Sequence, residues 1–175
     1  MRYFCRWLIL GLIGFILVTA CHHTSPSSPL TGDCRIIQHS MGETCVPQNP
    51  QQVVTLSLAT LGNTISLGVK PIATTNEVHQ GNPSVTFVSG NPEGVKLIGL
   101  KEPNLEILSQ LKPDLIIGAD WYKGIYPQLS QIAPTVLGEL NYTHWDRHLS
   151  FIAEALGKQE AEKALWANYN QRIKD

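Results

Sequence analysis

The stretch from residue 102 to residue 118 reads EPNLEILSQLKPDLIIG, and it decides the fold of this chain. Leu105, Leu108 and Leu111 recur at helical spacing within it. The positions between these leucines include polar residues that belong on the other side of a helix. The pattern therefore predicts a short amphipathic helix over 104–111.

A buried strand is predicted to follow this helix almost at once. A residue before a proline is pushed out of the helical region, so the helix is expected to end at Lys112. The continuous apolar run within 114–118 is then typical of a parallel strand covered on both faces. Sheets built from βαβ units place their ligand sites at the carboxyl ends of strands. The residues just after this strand are therefore the first candidates for function.

Strands and helices alternate along most of the chain. Such alternation predicts an α/β fold, with a Rossmann-like parallel sheet flanked by helices on both faces. The predicted strands are 53–56, 71–74, 114–118 and 135–138, and the predicted helices between them are 59–67, 104–111 and 124–132.

The last part of the chain is predicted to be helical throughout. Thr143 and Asp146 approximate a capping box, which would open a helix that stops at Gly157. A second helix is expected from Gln159 and has no stop signal before Asp175, which indicates a chain that is cut short.

The first twenty residues predict an export signal. Their apolar core is too short for a permanent membrane anchor. Small residues before Cys21 are typical of a bacterial lipoprotein signal, with an ordinary secretory signal as the alternative. Acyl chains such as palmitate on Cys21 would hold the exported protein at a membrane surface. We therefore expect a signal peptide over 1–20 and a flexible, Ser/Pro-rich tether over 21–33.

Two cysteines remain after the signal and the lipidation site. A turn centred on His39–Ser40 would place Cys34 opposite Cys45 in an amino-terminal β-hairpin. In an oxidising compartment this pair is expected to form a disulfide. A zinc or redox site that uses His39 is the alternative, although the chain has no CxxC motif.

Charge and motifs argue against several functional classes. About 140 residues remain after the tether, enough for one domain. A formal net charge of −1 disfavours nucleic acid as a partner. The sequence contains no GxGxxG, P-loop or GxSxG motif, so we expect neither an enzyme nor a bound cofactor. An enzyme or redox protein on a Rossmann-like sheet is the alternative from another class.

A histidine pair is the strongest candidate for metal binding. His144 and His148 lie four residues apart on one predicted helix, a spacing that suits a metal ion. The zinc-hydrolase pattern needs a glutamate beside the first histidine, and Trp145 stands there. Both histidines are expected to be solvated, and no metal site is predicted.

Several short motifs together resemble the amino-terminal lobe of periplasmic binding proteins of the iron-siderophore and cobalamin class. The motifs are MGETCVP at 41–47, NPQQVV at 49–54, LGVKP at 67–71, PNLE at 103–106, KPDLIIG at 112–118 and QIAPT at 131–135. The resemblance implies two Rossmann-like lobes joined by a long helix, with the ligand in the cleft between them. This chain would supply the first lobe over 34–157 and the start of the interlobe helix over 158–175, without the second lobe.

The resemblance also implies a function. Proteins of this class are substrate-binding components of ABC importers, which deliver their ligand to a membrane permease and its ATPase. We expect a ferric siderophore as the ligand, captured at the periplasmic face of the inner membrane. Cobalamin or haem is the alternative ligand, and a truncated, non-functional fragment is the alternative explanation for the missing lobe.

Aromatic and cationic residues after the predicted strands are the candidate ligand contacts. Trp121 and Tyr122 would form a cleft wall, and Lys123 would suit an anionic chelate. Trp121 could instead cover a helix, and the hydroxyls after the first strand could simply cap one. The full candidate set is Trp121, Tyr122, Lys123, Leu100, Lys101, Ser57 and Thr60.

Glu106 has a separate expected role. The resemblance implies that this glutamate docks onto arginines of the permease. Its position one turn into a helix also favours the helix dipole, which is the alternative explanation.

Overall fold

The structure is a computed structural model that describes residues 34–76, 78–79, 82–83 and 93–174. The expected signal peptide, the tether and Cys21 lie outside the described residues. The strands are β1 Cys34–His39, β2 Gly42–Pro47, β3 Val53–Thr55, β4 Ala73–Asn76, β5 Val78–His79, β6 Asn82–Pro83, β7 Lys96–Leu100, β8 Leu115–Ala119 and β9 Thr135–Gly138. The α-helices are α1 Leu58–Ser66, α2 Leu105–Leu111, α3 Tyr126–Ile132, α4 Trp145–Leu156 and α5 Gln159–Arg172. Two 3₁₀ helices cover Asp120–Ile125 and Tyr142–His144.

Five parallel strands form the central sheet, in the spatial order β7-β4-β3-β8-β9. β3 lies in the middle and pairs with β4 on one side and with β8 on the other. The chain first builds outward from β3 through β4 to β7, and then returns to add β8 and β9. The predicted Rossmann-like parallel sheet is therefore confirmed.

Both faces of the sheet are buried, as continuous apolar runs require. Successive residues of a strand point to opposite faces of the sheet, so adjacent residues pack into different hydrophobic clusters. Val53 and Leu115 pack with the hairpin β1–β2 and α4, whereas Val54 and Ile116 pack with α2 and α3. Helices thus cover the two faces in separate groups.

The amino-terminal hairpin is part of the core. Ile37 on β1 and Val46 on β2 are fully buried against the sheet. The turn is fastened to β9 as well, because the backbone N–H and the hydroxyl of Ser40 both donate to the carbonyl of Leu137, at 2.9 and 2.7 Å.

The Cys34–Cys45 disulfide is present, with 5.5 Å between the two Cα atoms. The predicted turn was wrong by one residue. His39 pairs with Gly42, so the turn falls at Ser40–Met41 and the two cysteines occupy diagonal rather than opposite positions. Gly42 accommodates this turn because its φ of +116° is strained for other residues.

The opening stretch forms the predicted helix and strand, and each begins one residue later than predicted. The side chain of Asn104 accepts a hydrogen bond from the N–H of Ile107 and caps α2. Leu108 is fully buried, and the helix ends at a left-handed Lys112 with φ 48°. Strand β8 then begins three residues later, at Leu115.

Asp114, in the break between α2 and β8, joins two distant parts of the chain. Its two carboxylate oxygens accept hydrogen bonds from the N–H groups of Gln51 and Gln52, at 2.7 and 2.9 Å. These residues lead into β3, the strand that pairs with β8. The contact therefore aligns the starts of the two central strands.

Two strand predictions need correction. The strand predicted at 71–74 is Ala73–Asn76, because Pro71 has no N–H to donate to the ladder. Strand β7 was not predicted at all. It lies at the edge of the sheet, and within it only Ile98 is buried, so its sequence lacks a continuous apolar signal.

The helix boundaries also differ in places. The helix predicted at 124–132 begins at Tyr126, after a 3₁₀ segment, with a proline in its first turn. The capping box was wrong, because Asn141, not Thr143, supplies the capping side chain, and it opens a 3₁₀ turn ahead of α4. The predicted stop at Gly157 is confirmed.

The last helix, α5, is shorter than predicted. It ends at Arg172, two residues before the described part of the chain does. Asp175, to which the helix was predicted to continue, lies outside the described residues.

Candidate functional site

The candidate site lies at the carboxyl edge of the sheet, where neighbouring loops separate. β3 leads into α1, which packs with α4 on one face of the sheet. β8 leads through a 3₁₀ segment into α3, and α3 packs with α2 on the opposite face. A crevice at such a switch point is where ligands bind in open α/β sheets.

The loop after β8 presents an aromatic ring and a cation to solvent. The side chain of Trp121 is 49% exposed. Lys123 is also exposed, and its ammonium group lies 3.3 Å from the carboxylate of Asp120. An exposed ion pair of this kind is weak and therefore exchanges easily for another anion.

Tyr122 is buried below this exposed pair. Only 6% of the residue is exposed, and its hydroxyl donates a hydrogen bond to the backbone carbonyl of Lys101. A second contact, to the hydroxyl of Thr75, measures 3.4 Å. Tyr122 thus fastens the loop after β8 to the loop after β7.

The loop after β7 contributes two exposed side chains. Leu100 is 63% exposed, and Lys101 is exposed with a left-handed φ of 60°. The N–H of Lys101 donates to the carbonyl of Asn76, which holds this strained backbone in place. Lys101 and Trp121 thus belong to loops that Tyr122 joins.

Ser57 and Thr60 are buried at the end of β3. The hydroxyl of Ser57 accepts a hydrogen bond from the N–H of Thr60 at 3.1 Å and caps α1. The two hydroxyls lie 2.8 Å apart. These side chains lie at the carboxyl end of β3, and the cap predicted as their alternative role is present.

The predicted exposure of His148 was wrong. It was expected to be solvated together with His144, yet it is 1% exposed whereas His144 is exposed. The reason is visible in the sequence, because position 148 falls on the apolar stripe of α4 that includes Leu149 and Ile152. The two histidines therefore do not share an exposed face.

The imidazole of His148 has one partner and one unpaired nitrogen. Its Nδ1 lies 3.2 Å from the side-chain amide nitrogen of Asn63 on α1, while Nε2 has no hydrogen-bond partner among the described residues. Burial lowers the pKa of His148 to about 4, although the nearby carboxylate of Asp120 acts in the opposite direction. His148 is therefore neutral near pH 7 and lies in the field of the loop after β8.

Glu106 lies in the first turn of α2, exposed to solvent. It makes no ion pair with any other described residue. Because α2 starts from the carboxyl end of β7, Glu106 lies towards the same edge of the sheet as the loops above.

Two further features are absent from the described part of the chain. Among those residues, no group of three or more histidines, cysteines or acidic residues could hold a metal ion. No helix in that part is long and apolar enough to cross a membrane.

Comparison with known proteins assigns the family. Residues 53–175 match the family described as periplasmic binding protein. The chain belongs to that family. It is 33% identical over 174 residues to the probable siderophore-binding lipoprotein YfiY of Bacillus subtilis. That alignment covers 96% of this chain and 53% of YfiY. It is 31% identical to the Fe(3+)-citrate-binding protein YfmC of the same organism, covering 94% of this chain and 54% of YfmC.

A solved structure agrees with the fold. Staphylococcus aureus SirA, crystallised in complex with staphyloferrin B, superposes with a TM-score of 0.70 at 33% identity. The superposition covers 79% of this chain and 48% of SirA. The chain thus spans about half the length of the periplasmic binding proteins it matches.

Proposed function

We propose that this chain is the amino-terminal lobe of a substrate-binding component of an ABC importer, and that its ligand is a ferric siderophore. Membership of the periplasmic binding protein family supports a binding role without catalysis. Two named relatives are described as siderophore-binding and Fe(3+)-citrate-binding, and SirA was crystallised with a siderophore.

The observation that carries the proposal is the exposed Trp121–Lys123 pair at the carboxyl end of β8. An indole face suits the organic shell of a chelate, and an ammonium group suits its negative charge. Leu100 and Lys101 would extend this wall. Buried Tyr122, Ser57 and Thr60 would hold the wall in shape rather than face the ligand.

A fluorescence titration tests the ligand. The full chain would be titrated with ferric catecholates, ferric hydroxamates, ferric citrate, cobalamin and haem, and tryptophan quenching recorded. We expect saturable quenching by at least one ferric chelate, and about tenfold weaker binding after Lys123→Gln, because a charge-assisted hydrogen bond is lost. Lys163→Gln on α5 is the matched control and should bind like the unaltered chain. Quenching by none of the ferric chelates would refute the siderophore assignment.

We further propose that Glu106 is the contact to the permease. Its exposure and lack of an ion pair among described residues leave the carboxylate available to a cationic partner. In an uptake assay with the complete importer, Glu106→Arg should reduce transport while siderophore binding is kept. Glu43→Arg, at an exposed position on the hairpin, should leave transport intact.

Export and lipidation complete the proposal. Cys21 would carry the lipid that holds the protein at the periplasmic face of the inner membrane, with residues 21–33 as a tether. Labelled palmitate should be incorporated into the unaltered protein and be absent from Cys21→Ser, which should leave the membrane fraction. Equal labelling of both proteins would contradict lipidation at this site.

A further inference from the structure

The amino-terminal hairpin closes one edge of the sheet with side chains. β9 is the last strand of the five, so its outer edge has no further strand to pair with. The hydroxyl of Thr44 donates to the carbonyl of Thr135 at 3.1 Å, and the hydroxyl of Ser40 donates to that of Leu137 at 2.7 Å. The N–H of Leu137 donates to Nδ1 of His39 at 3.4 Å. Backbone groups that an edge strand leaves unpaired are therefore satisfied by the hairpin.

The hydrogen bonds around His39 assign one protonation state to its ring. Nδ1 receives the backbone N–H groups of Leu137 and Met41, both at 3.4 Å, so this nitrogen carries no proton. Nε2 therefore carries the proton of the neutral ring and donates a hydrogen bond to the hydroxyl of Thr44 at 2.9 Å. That hydroxyl still has its own proton for the carbonyl of Thr135. All of these groups are satisfied together only when His39 is neutral.

The same hydrogen bonds reach the segment of the candidate ligand site. The phenol oxygen of Tyr126 lies 3.5 Å from Oγ1 of Thr44, and the ring centroids of Tyr126 and His39 are 5.5 Å apart. Tyr126 directly follows the 3₁₀ helix over 120–125, which carries Trp121 and Lys123. The hairpin therefore contacts the end of the loop that presents these two side chains.

A second proton on the imidazole of His39 would oppose this arrangement. It would have to enter at Nδ1, towards which the N–H groups of Leu137 and Met41 already point. Three donors would then face one another, and both backbone groups would lose their acceptor. Burial acts in the same direction, because it lowers the pKa of His39.

The charged groups of the neighbouring elements do not compensate for this proton. β9 has no ionisable side chain, and the one that α3 offers is the phenol of Tyr126. On β2, the carboxylate of Glu43 accepts a hydrogen bond from the amide of Gln38 at 3.0 Å. The guanidinium of Arg35 lies at the other end of β1 and donates to the backbone carbonyl of Glu154 on α4. No ion pair among the described residues includes a histidine.

We propose that His39 is a positioning residue for the loop after β8, and that its protonation releases the hairpin turn from β9. The neutral ring holds the hydroxyl of Thr44 between Thr135 and Tyr126. The charged ring loses its contact with the N–H of Leu137, so the turn separates and Tyr126 loses its support. The candidate site then holds a ligand less tightly in acid. This effect on affinity rests on the proposed function, whereas the release of the turn does not.

NMR of the full chain, labelled with ¹⁵N, tests the release. The chain is acidified stepwise from pH 7.5, and each resonance is followed separately because His148 also takes up a proton in acid. We expect the ring of His39 to begin with Nδ1 unprotonated and Nε2 protonated. As Nδ1 takes up its proton, the amides of Leu137 and Met41 and the indole N–H of Trp121 should shift with the same midpoint.

His39→Asn is the matched variant, because its side-chain oxygen can accept the N–H of Leu137 in place of Nδ1 without titrating. The Leu137 amide of this variant should stay unchanged over the same pH range. His144→Gln, at an exposed histidine, should shift like the unaltered chain. A ferric chelate that binds at pH 7.5 provides the second measurement. About one pH unit below the midpoint, the unaltered chain should have lost at least about threefold more affinity for it than His39→Asn.

Several outcomes would overturn the proposal. One is a ring of His39 that begins with its proton on Nδ1, and another is an Nδ1 that stays unprotonated until the whole chain unfolds. A Leu137 amide that titrates equally in His39→Asn would assign the shift to another group. An indole of Trp121 that does not follow the titration, or equal losses of affinity in both proteins, would refute the positioning role. The NMR titration needs no ligand, so failure of every chelate to bind would refute the siderophore assignment alone.

Discussion

Acidification should destabilise the folded chain through His148. The side chain is buried and neutral. Its Nδ1 accepts a hydrogen bond from the amide of Asn63, and no other group in the described part of the chain bonds to Nε2. Its pKa is about 4 in the folded chain, against an ordinary value of 6.5 in the unfolded chain. Between these two values the unfolded state binds the proton and the folded state does not, so the free energy of unfolding falls as the pH falls.

The size of the effect follows from the two pKa values. The stability that depends on His148 being neutral is fully present above pH 6.5. It is lost progressively down to about pH 4, and the total loss is about 3 kcal/mol of the free energy of unfolding. At pH 5 the expected loss is about 2 kcal/mol, a large fraction of the stability of a typical domain. Burial also lowers the pKa of His39, which adds a loss of the same sign.

Urea denaturation at pH 7.5 and pH 5 measures this loss. His148→Gln removes the titrating group while its amide can still bond to Asn63, so the variant should lose about 2 kcal/mol less than the unaltered chain between the two pH values. His144→Gln is the matched control, because that histidine is exposed and should leave the pH dependence unchanged. If His148→Gln and the unaltered chain lost equal free energy, the neutral, buried state of His148 would be refuted.

Other substitutions test the hairpin, the edge strand and the strand alignment. Cys34→Ser should lower the free energy of unfolding by about 3 kcal/mol, because the disulfide closes a loop with a sequence separation of 11. As a control, a reductant should bring the unaltered chain to the same urea midpoint as the variant. Gly99→Ala should lower the free energy of unfolding by at least about 2 kcal/mol, because φ is +153° and a Cβ would collide with the carbonyl of Glu102. Gly124→Ala is the control: a Cβ there would lie in open space, so the melting temperature should change little. Asp114→Asn should cost about 1.5–3 kcal/mol in urea denaturation, because an amide oxygen replaces only one of two charged acceptors.

Local patterns predicted the centre of the fold well. Strands β3, β8 and β9 are short apolar runs bounded by clear breaks, and burial on both faces leaves little ambiguity about what such runs form. Helix α2 combined periodic leucines with a proline stop, and both signals acted as expected, whereas the cap by Asn104 was not predicted. Agreement between local signals is what makes a segment predictable from its own residues.

The missed features depend on partners far away in the sequence. Strand β7 lies at the edge of the sheet, so its residues carry a weak burial signal. Trp121, Tyr122 and Lys123 are consecutive, yet the fold exposes the first and third and buries the second, because the hydroxyl of Tyr122 reaches Lys101. No spacing rule within the segment predicts a contact with a loop 21 residues earlier.

The loop after β8 and helix α4 are linked by charge. The carboxylate of Asp120, in the loop that carries Trp121, influences the pKa of His148 on that helix. The same imidazole is hydrogen-bonded to Asn63 of α1. A ligand that drew Lys123 away from Asp120 would leave this carboxylate unpaired close to the imidazole, where it stabilises the charged form. Ligand capture should therefore raise the pKa of His148.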